Sequence, residues 1–332
     1  MQINYEIGSE LQVCVYDLEN NLLESSPWFH NLVLDSGLAF LNRDVTKQVA
    51  NGALSLDIGT YLNIGSGRST VTVDQVGLDN YVNSARREAG NDLLYSAYDD
   101  TLKRWYFEVK TSYMFPAGLL VGNFTELGLS NKIDQDYFNR VLIKDANGDP
   151  TTVVMDASKW LGVNVRTKLY FIDNQRGQLT IRDAENQKTI GYTQYYTCVK
   201  PRVNDEQVGS YASLIPPHVI RFGVSTSELN VPVLKETSGM FYRDSLVDNG
   251  LWLAYNSAYW VDHEVSADRL LLGFRLGSPD GNGALKSLGM ILYGLTRGEH
   301  CGYCFQLDEP IIKTEDTVLV FVFHFKFSRV AV

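Results

Sequence analysis

Strict alternation of apolar and polar residues at a period of two constrains this chain more than any other feature. In 104–115, Trp105, Phe107, Val109, Thr111, Tyr113 and Phe115 fall on one face of an extended strand, with Arg104, Glu108, Lys110 and Ser112 on the other. Segment 163–171 repeats the pattern, with Val163, Val165, Thr167, Leu169 and Phe171 set against Asn164, Arg166 and Lys168. An extended backbone turns successive side chains to opposite faces, so both segments read as half-buried antiparallel strands. Leu11 to Tyr16 opens the series. Asn147-Gly148, inside 145–150, predicts a type I′ hairpin turn between two apolar segments. Asn20-Asn21, 174–177 and 280–283 read as further turns or loops.

Helical signal is sparse. Asp35-Ser36 is placed to cap one short helix carrying Leu38, Leu41, Val45 and Val49. Residues 74–88 read as a second short helix or an extended loop. Strands do not alternate with long helices, which disfavours a doubly wound α/β fold. The expected class is mainly β: antiparallel β-sandwich-like modules with few short helices. The chain has 332 residues, beyond the roughly 250–300 at which a single core stops growing. Two β-rich modules are therefore expected, 1–182 and 183–332, with a soft boundary at the polar stretch 183–188. The last strand, 316–329, is free to pack on the first module. Residues 201–217, with Pro201, Pro216 and Pro217, read as a long loop.

Composition excludes several classes of function. Hydrophobic residues make up 45%, enough for a buried core and too many for a disordered chain. Net charge is −10, and Arg86-Arg87 and Lys103-Arg104 are the only adjacent basic pairs, so no nucleic-acid partner is expected. The longest apolar run, Val318 to Phe323, is six residues against the roughly 20 that a spanning helix needs, so no membrane insertion is expected. The first residues carry neither a basic segment nor an apolar one, so a signal peptide is not expected. Four cysteines are too few for a disulfide scaffold of this length and suit folding in a reducing cytoplasm.

Several strings stand out in order: HNLVLDSGLAFL at 30–41, YLNIGSG at 61–67, GNFTELGLS at 122–130, FNRVLIKDANGDPTTV at 138–153 and IIKTEDTVLVFVFHFKFSRV at 311–330. Together they resemble a family of tailed-bacteriophage virion structural proteins of tail, tail-fibre or baseplate type. The resemblance is strongest over 30–155 and again near the C-terminus, and weakest over 186–300. It implies a β-rich subunit made in the host bacterial cytoplasm and assembled into the tail region of the virion. Its implied partners are other virion proteins and copies of itself in cyclic symmetry.

The chemistry-bearing residues are few. Cys301-Gly302-Tyr303-Cys304 has the spacing of a redox or zinc motif, and His300, Cys301 and Cys304 are the candidate metal-ligating residues. A redox motif needs a βαβ setting and structural zinc needs a second ligand pair, so packing or an incidental disulfide is the expectation. Asp145, Asn147, Asp149 and Asp156 echo a calcium loop, but Pro150 stands where such a loop needs glycine. Glu126 sits among apolar residues. It is either a buried acid or base, or a carboxylate that bonds a turn or pairs with Arg140. No Gly-x-Ser-x-Gly, His-Glu-x-x-His or phosphate-binding loop occurs, and the five histidines lack metal-ligand spacing. No catalytic residue and no cofactor is expected.

The C-terminal strand carries Leu319, Phe321, Phe323, Phe325 and Phe327 on one face and Val318, Val320, Val322, His324 and Lys326 on the other. Both faces are apolar at its start, so it is expected to lie inside a sheet or under another subunit. His324 marks where the second face meets solvent. The function these features favour is a structural or adaptor subunit that works by assembly and not as an enzyme. A receptor- or glycan-binding module, its Tyr and Trp stacking on host-surface sugars, is the alternative. A polysaccharide depolymerase is more distant, since two carboxylates need no linear signature.

Overall fold

A computed structural model describes residues 1–42, 58–88, 93–102, 104–172, 175–182, 187–198, 218–229, 251–254, 265–266, 269–277, 281–293 and 301–330. Val45, Val49, residues 183–186, the 201–217 segment and Asp280 lie outside these. In chain order, β1 (Gln2–Asp17), β2 (Leu22–Ser25), β3 (Phe29–His30) and β4 (Leu32–Val33) precede α1 (Asp35–Asn42). Next come β5 (Tyr61–Gly65), β6 (Tyr81–Arg86), β7 (Leu93–Asp99), β8 (Arg104–Phe115), β9 (Gly122–Phe124) and β10 (Glu126–Lys132). They are followed by β11 (Gln135–Tyr137), β12 (Asn139–Leu142), β13 (Val153–Met155), β14 (Lys159–Phe171), β15 (Gln175–Arg182) and β16 (Gln187–Cys198). The last are β17 (His218–Ser225), β18 (Leu251–Ala254), β19 (Val265–Ser266), β20 (Arg269–Leu276), β21 (Gly283–Tyr293), β22 (Cys301–Lys313) and β23 (Leu319–Arg329).

The fold is mainly β, as the alternation implies. The largest sheet runs β19-β20-β23-β1-β14-β8-β7, with β2 and β3 also on β1. One side of β1 pairs with β14 from Tyr5↔Phe171 to Asp17↔Lys159. The other side is shared: β23 covers Gln2 to Ile7, β3 covers Glu10 and Leu11, and β2 covers Cys14 to Tyr16. No long unpaired edge is left on that strand. The β1–β23 pairing is parallel, while the other strand pairs of the first sheet among the described residues are antiparallel. The sheet draws strands from both sides of residue 183, since β20 and β23 join β1, β14 and β8.

A second sheet runs β4-β12-β10-β5-β6 with β11 on β10, and a third runs β15-β16-β22-β21-β17-β18; β9 and β13 form a ribbon of two. The odd-numbered face of β1, β8 and β14 is buried at Leu11, Val13, Tyr113, Phe115, Val163, Val165 and Phe171. It shares one core with Leu62, Ile64, Leu127 and Leu129 of the second sheet and with Tyr192, Tyr303 and Phe305 of the third. The Tyr5 and Tyr303 rings meet edge-on at 6.1 Å across that core.

Two expectations change. Residues 81–86 of the 74–88 segment form strand β6, paired with β5, because Ala85 turns into the core opposite Leu62. Asn147-Gly148 is not a type I′ turn, which needs φ > 0 at both central residues. Gly148 has φ +85° and Asn147 is not among the positive-φ residues. Asp145 Oδ1 accepts from the backbone N–H groups of Asn147 (2.8 Å) and Asp149 (3.1 Å), which holds the turn in another form. The flanking segments meet at the base of the turn, where Lys144 and Pro150 form an antiparallel bridge and Thr151 N–H donates to Ile143 O at 2.8 Å, while further out β12 pairs with β10, and β13 with β9.

Candidate functional site

The strings at 30–41, 61–67, 122–130 and 138–153 converge on the second sheet. β10 pairs with β5 (Leu127↔Ile64, Leu129↔Leu62) and with β12 (Glu126↔Leu142), and β12 pairs with β4 (Asn139↔Val33). Glu126 to Ser130 are all buried, so β10 is covered on both faces and any polar group there needs partners within the protein. Glu126 has them. Its Oε1 accepts from the backbone N–H of Gly67 (2.8 Å) and of Asn80 (2.9 Å). Its Oε2 accepts from Asp79 N–H (3.1 Å) and from Arg140 Nε (2.9 Å). A Cβ at Gly65 would lie 2.6 Å from Glu126 Oε1, and one at Gly67 would collide with the same oxygen. Only glycine lets the backbone come this close to the carboxylate.

Arg140 is fully buried. Its Nη2 lies 2.8 Å from Glu126 Oε2 and 2.7 Å from Asp79 Oδ2, and its Nη1 donates to Ser69 Oγ at 3.1 Å. Asp79 Oδ2 also accepts from Ser69 N–H at 2.9 Å. Burial pushes the Asp79 carboxyl up, but hydrogen bonds from Ser69 and the Arg140 guanidinium outweigh it and hold the group below its ordinary 3.8. The cluster thus folds the 66–80 loop onto the sheet by its two ends. In chemical terms the Glu126 carboxylate is saturated with donors. Both of the roles weighed against catalysis, bonding a turn and pairing with Arg140, are present in its geometry. The sequence reading missed Asp79 and Ser69, whose only signal is membership of a polar loop.

A second buried network ties this sheet to the first. Ser9 Oγ donates to Asn31 Oδ1 (2.7 Å) and accepts from Asn139 Nδ2 (3.0 Å), while Asn139 Oδ1 accepts from Leu129 N–H (2.9 Å). On α1, Ser36 Oγ donates to Tyr137 O at 2.7 Å, and a Cβ at Gly37 would collide with the carbonyl of Phe138. Close helix-to-strand approach, and not only a tight turn, accounts for Gly37.

The other candidates are dispersed. His300 lies outside the described residues. Cys301 opens β22, and Cys304 is fully buried three positions along the same strand. Burial pushes the Cys304 thiol up, away from the reactive thiolate. Among the described residues no three His, Cys, Asp or Glu groups gather as a metal site. β23 lies between β20 and β1. Its Leu319, Phe321, Phe323 and Phe327 are buried, and position 325 pairs with Leu270 and Ile3. Val318, Val320 and Val322 are exposed, and His324 is half-buried.

The outer face of the first sheet carries its own aromatic groups. The Tyr16 and Trp160 rings stack at 4.0 Å and 7°, and the Arg166 guanidinium lies 3.7 Å from the Trp28 ring centre. Ser112 Oγ donates to Asn164 Oδ1 (3.0 Å), and Asn164 Nδ2 donates to Gln12 Oε1 (3.4 Å), along the same face.

No protein family, curated protein or solved structure matches the chain.

Proposed function

We propose that the protein is a structural and adaptor subunit of a tailed-phage virion, placed in the tail, baseplate, collar or fibre-attachment region, and that it acts by assembly and not by catalysis. The observation that carries this reading is the Glu126–Arg140–Asp79 cluster, in which the Glu126 carboxylate is saturated with donors. Gly65, Gly67, Glu126 and Arg140, from the strings that resemble virion proteins, build the cluster together with Ser69 and Asp79, and Asn139 of the same strings ties this sheet to the first. Their chemistry is spent on holding a loop and two sheets in one arrangement, as a subunit that works by shape requires. Its partners in this reading are other virion proteins and further copies of itself, related by cyclic symmetry.

A glycan-binding role is the second reading, and the Tyr16–Trp160 stack beside the Gln12–Asn164–Ser112 ladder favours it. Flat rings meet the apolar faces of sugars and amides meet their hydroxyls. Cryo-EM of phage particles carrying an epitope tag on this chain tests the leading reading. Density at a ring of sites in the tail region is the expected result, and particles that form without the chain would refute it. Incubation of the purified protein with host surface polysaccharide separates the others. Saturable binding lost in Trp160→Ala supports the glycan reading, and new reducing ends with sustained turnover would establish an enzyme.

A further inference from the structure

We propose that Cys198 and Cys301 are a cross-strand disulfide site, formed by exchange with a small-molecule disulfide such as oxidised glutathione. The inference rests on strand register and is independent of the virion reading. β16 and β22 pair antiparallel without a slip from Tyr192↔Leu307 to Cys198↔Cys301. The two cysteines are therefore Cα partners, the last residue of one strand and the first of the other. Cα partners in antiparallel ladders lie about 4.5 or about 5.5 Å apart. Both spacings fall within the roughly 4.4–6.8 Å that a disulfide spans. Partner positions on neighbouring strands also share a face of the sheet.

The same register dissolves the Cys-x-x-Cys motif. Position 304 is an odd number of residues from 301 on a continuous strand, so it belongs to the opposite face, roughly 10 Å further along. It pairs instead with Tyr195 and Gly289. The redox unit in this part of the chain is the pair across the ladder and not the pair along the strand.

The exchange balances. One cysteine thiolate attacks the small disulfide, whose S–S bond breaks and releases one reduced thiol. The second cysteine then attacks the mixed disulfide, the protein S–S bond forms and a second reduced thiol leaves. The two protons lost by Cys198 and Cys301 end on the two released thiols. The bond makes the terminal rung of the β16–β22 ladder covalent and closes the whole 199–300 segment, with β17 to β21, into a loop. Closing a long loop restricts the unfolded chain and raises stability. The rung is open in a reducing cytoplasm and closed outside it.

The test uses the full chain, incubated with oxidised or reduced glutathione, alkylated, digested without reductant and mapped by mass spectrometry. The expected result is one peptide joining Cys198 to Cys301 in the oxidised sample alone, with a thermal midpoint several degrees above that of the reduced sample. Cys198→Ser should abolish both the linked peptide and the shift. Full alkylation of Cys198 and Cys301 after oxidation, a Cys301–Cys304 bond, or a bond between chains would each overturn the proposal. The wild-type alkylation pattern decides the matter even if the serine variant does not fold.

Discussion

Arg140 Nε donates to Glu126 Oε2 at 2.9 Å, and neither side chain retains any solvent exposure. The two are a diagonal pair, since Glu126 stands opposite Leu142 on β12 and Arg140 is two residues away on the same face. A buried carboxylate and guanidinium each lose their hydration on folding. The arrangement holds because backbone N–H groups, Ser69 and Asp79 supply the rest of the partners.

Removing one partner should therefore cost more than removing the charge from both. Arg140→Met leaves Glu126 buried and unpaired and is expected to cost about 3–5 kcal/mol. Combining it with Glu126→Gln should cost less than the sum of the two single changes, because the amide needs no counter-charge. Urea denaturation of the wild type, the two single variants and the double variant closes the cycle. Additive effects, or a single change costing under about 1 kcal/mol, would show that the cluster is not a unit.

Acid should loosen the same cluster through Asp79. A carboxyl held below its ordinary 3.8 in the folded state stabilises the protein above the unfolded value. That contribution fades as pH falls through the folded value, so the window lies below about pH 4. Asp79→Asn should lower the thermal midpoint near neutral pH and flatten its fall on the acid side. Parallel acid limbs for variant and wild type would contradict this account.

Two glycines should behave in opposite ways. A Cβ at Gly148 meets nothing within 4 Å, so its φ of +85° is the only obstacle, and Gly148→Ala should cost about 1–2 kcal/mol. A Cβ at Gly37 strikes the Phe138 carbonyl, a backbone group that cannot swing aside. Gly37→Ala should cost more than about 3 kcal/mol or prevent folding. Thermal midpoints of the two variants compare them directly.

The sheet positions most visible in the sequence were those with one wet face. β8 and β14 read correctly because Lys110, Ser112, Asn164 and Arg166 alternate with buried residues, and the two strands are direct neighbours over Leu161↔Phe115 to Phe171↔Trp105. β6 was missed because Ala85 is its one fully buried residue, too weak a signal to set a period. The parallel β1–β23 pairing joins the two ends of the described chain, a contact that no local pattern encodes. The Glu126–Arg140 pair was legible from two charges in neighbouring strand-like segments. Asp79 was not, because a loop aspartate looks alike whether it faces water or a buried guanidinium.

β23 gives the sharpest contrast between neighbouring residues. Phe323 is fully buried, its ring 5.7 Å from that of Phe305 on the third sheet, and its backbone lies beside Leu272 of β20. Lys326, three positions on, falls on the opposite face and is exposed. Truncating a buried Phe costs about 3–5 kcal/mol, a large share of a domain's net stability of about 5–15 kcal/mol. Placing an unpaired carboxylate at the same point adds the cost of desolvating a charge. Phe323→Asp is therefore expected to abolish soluble folding. Lys326→Glu exchanges one wet charge for another and should shift stability by less than about 0.5 kcal/mol. Val320, 45% exposed, separates folding from assembly, because Val320→Asp should leave the isolated chain soluble. Expression, gel filtration and particle complementation measure all three variants. If Phe323→Asp elutes as a folded protein and complements normally, the phenylalanine face of β23 does not hold the first and third sheets together.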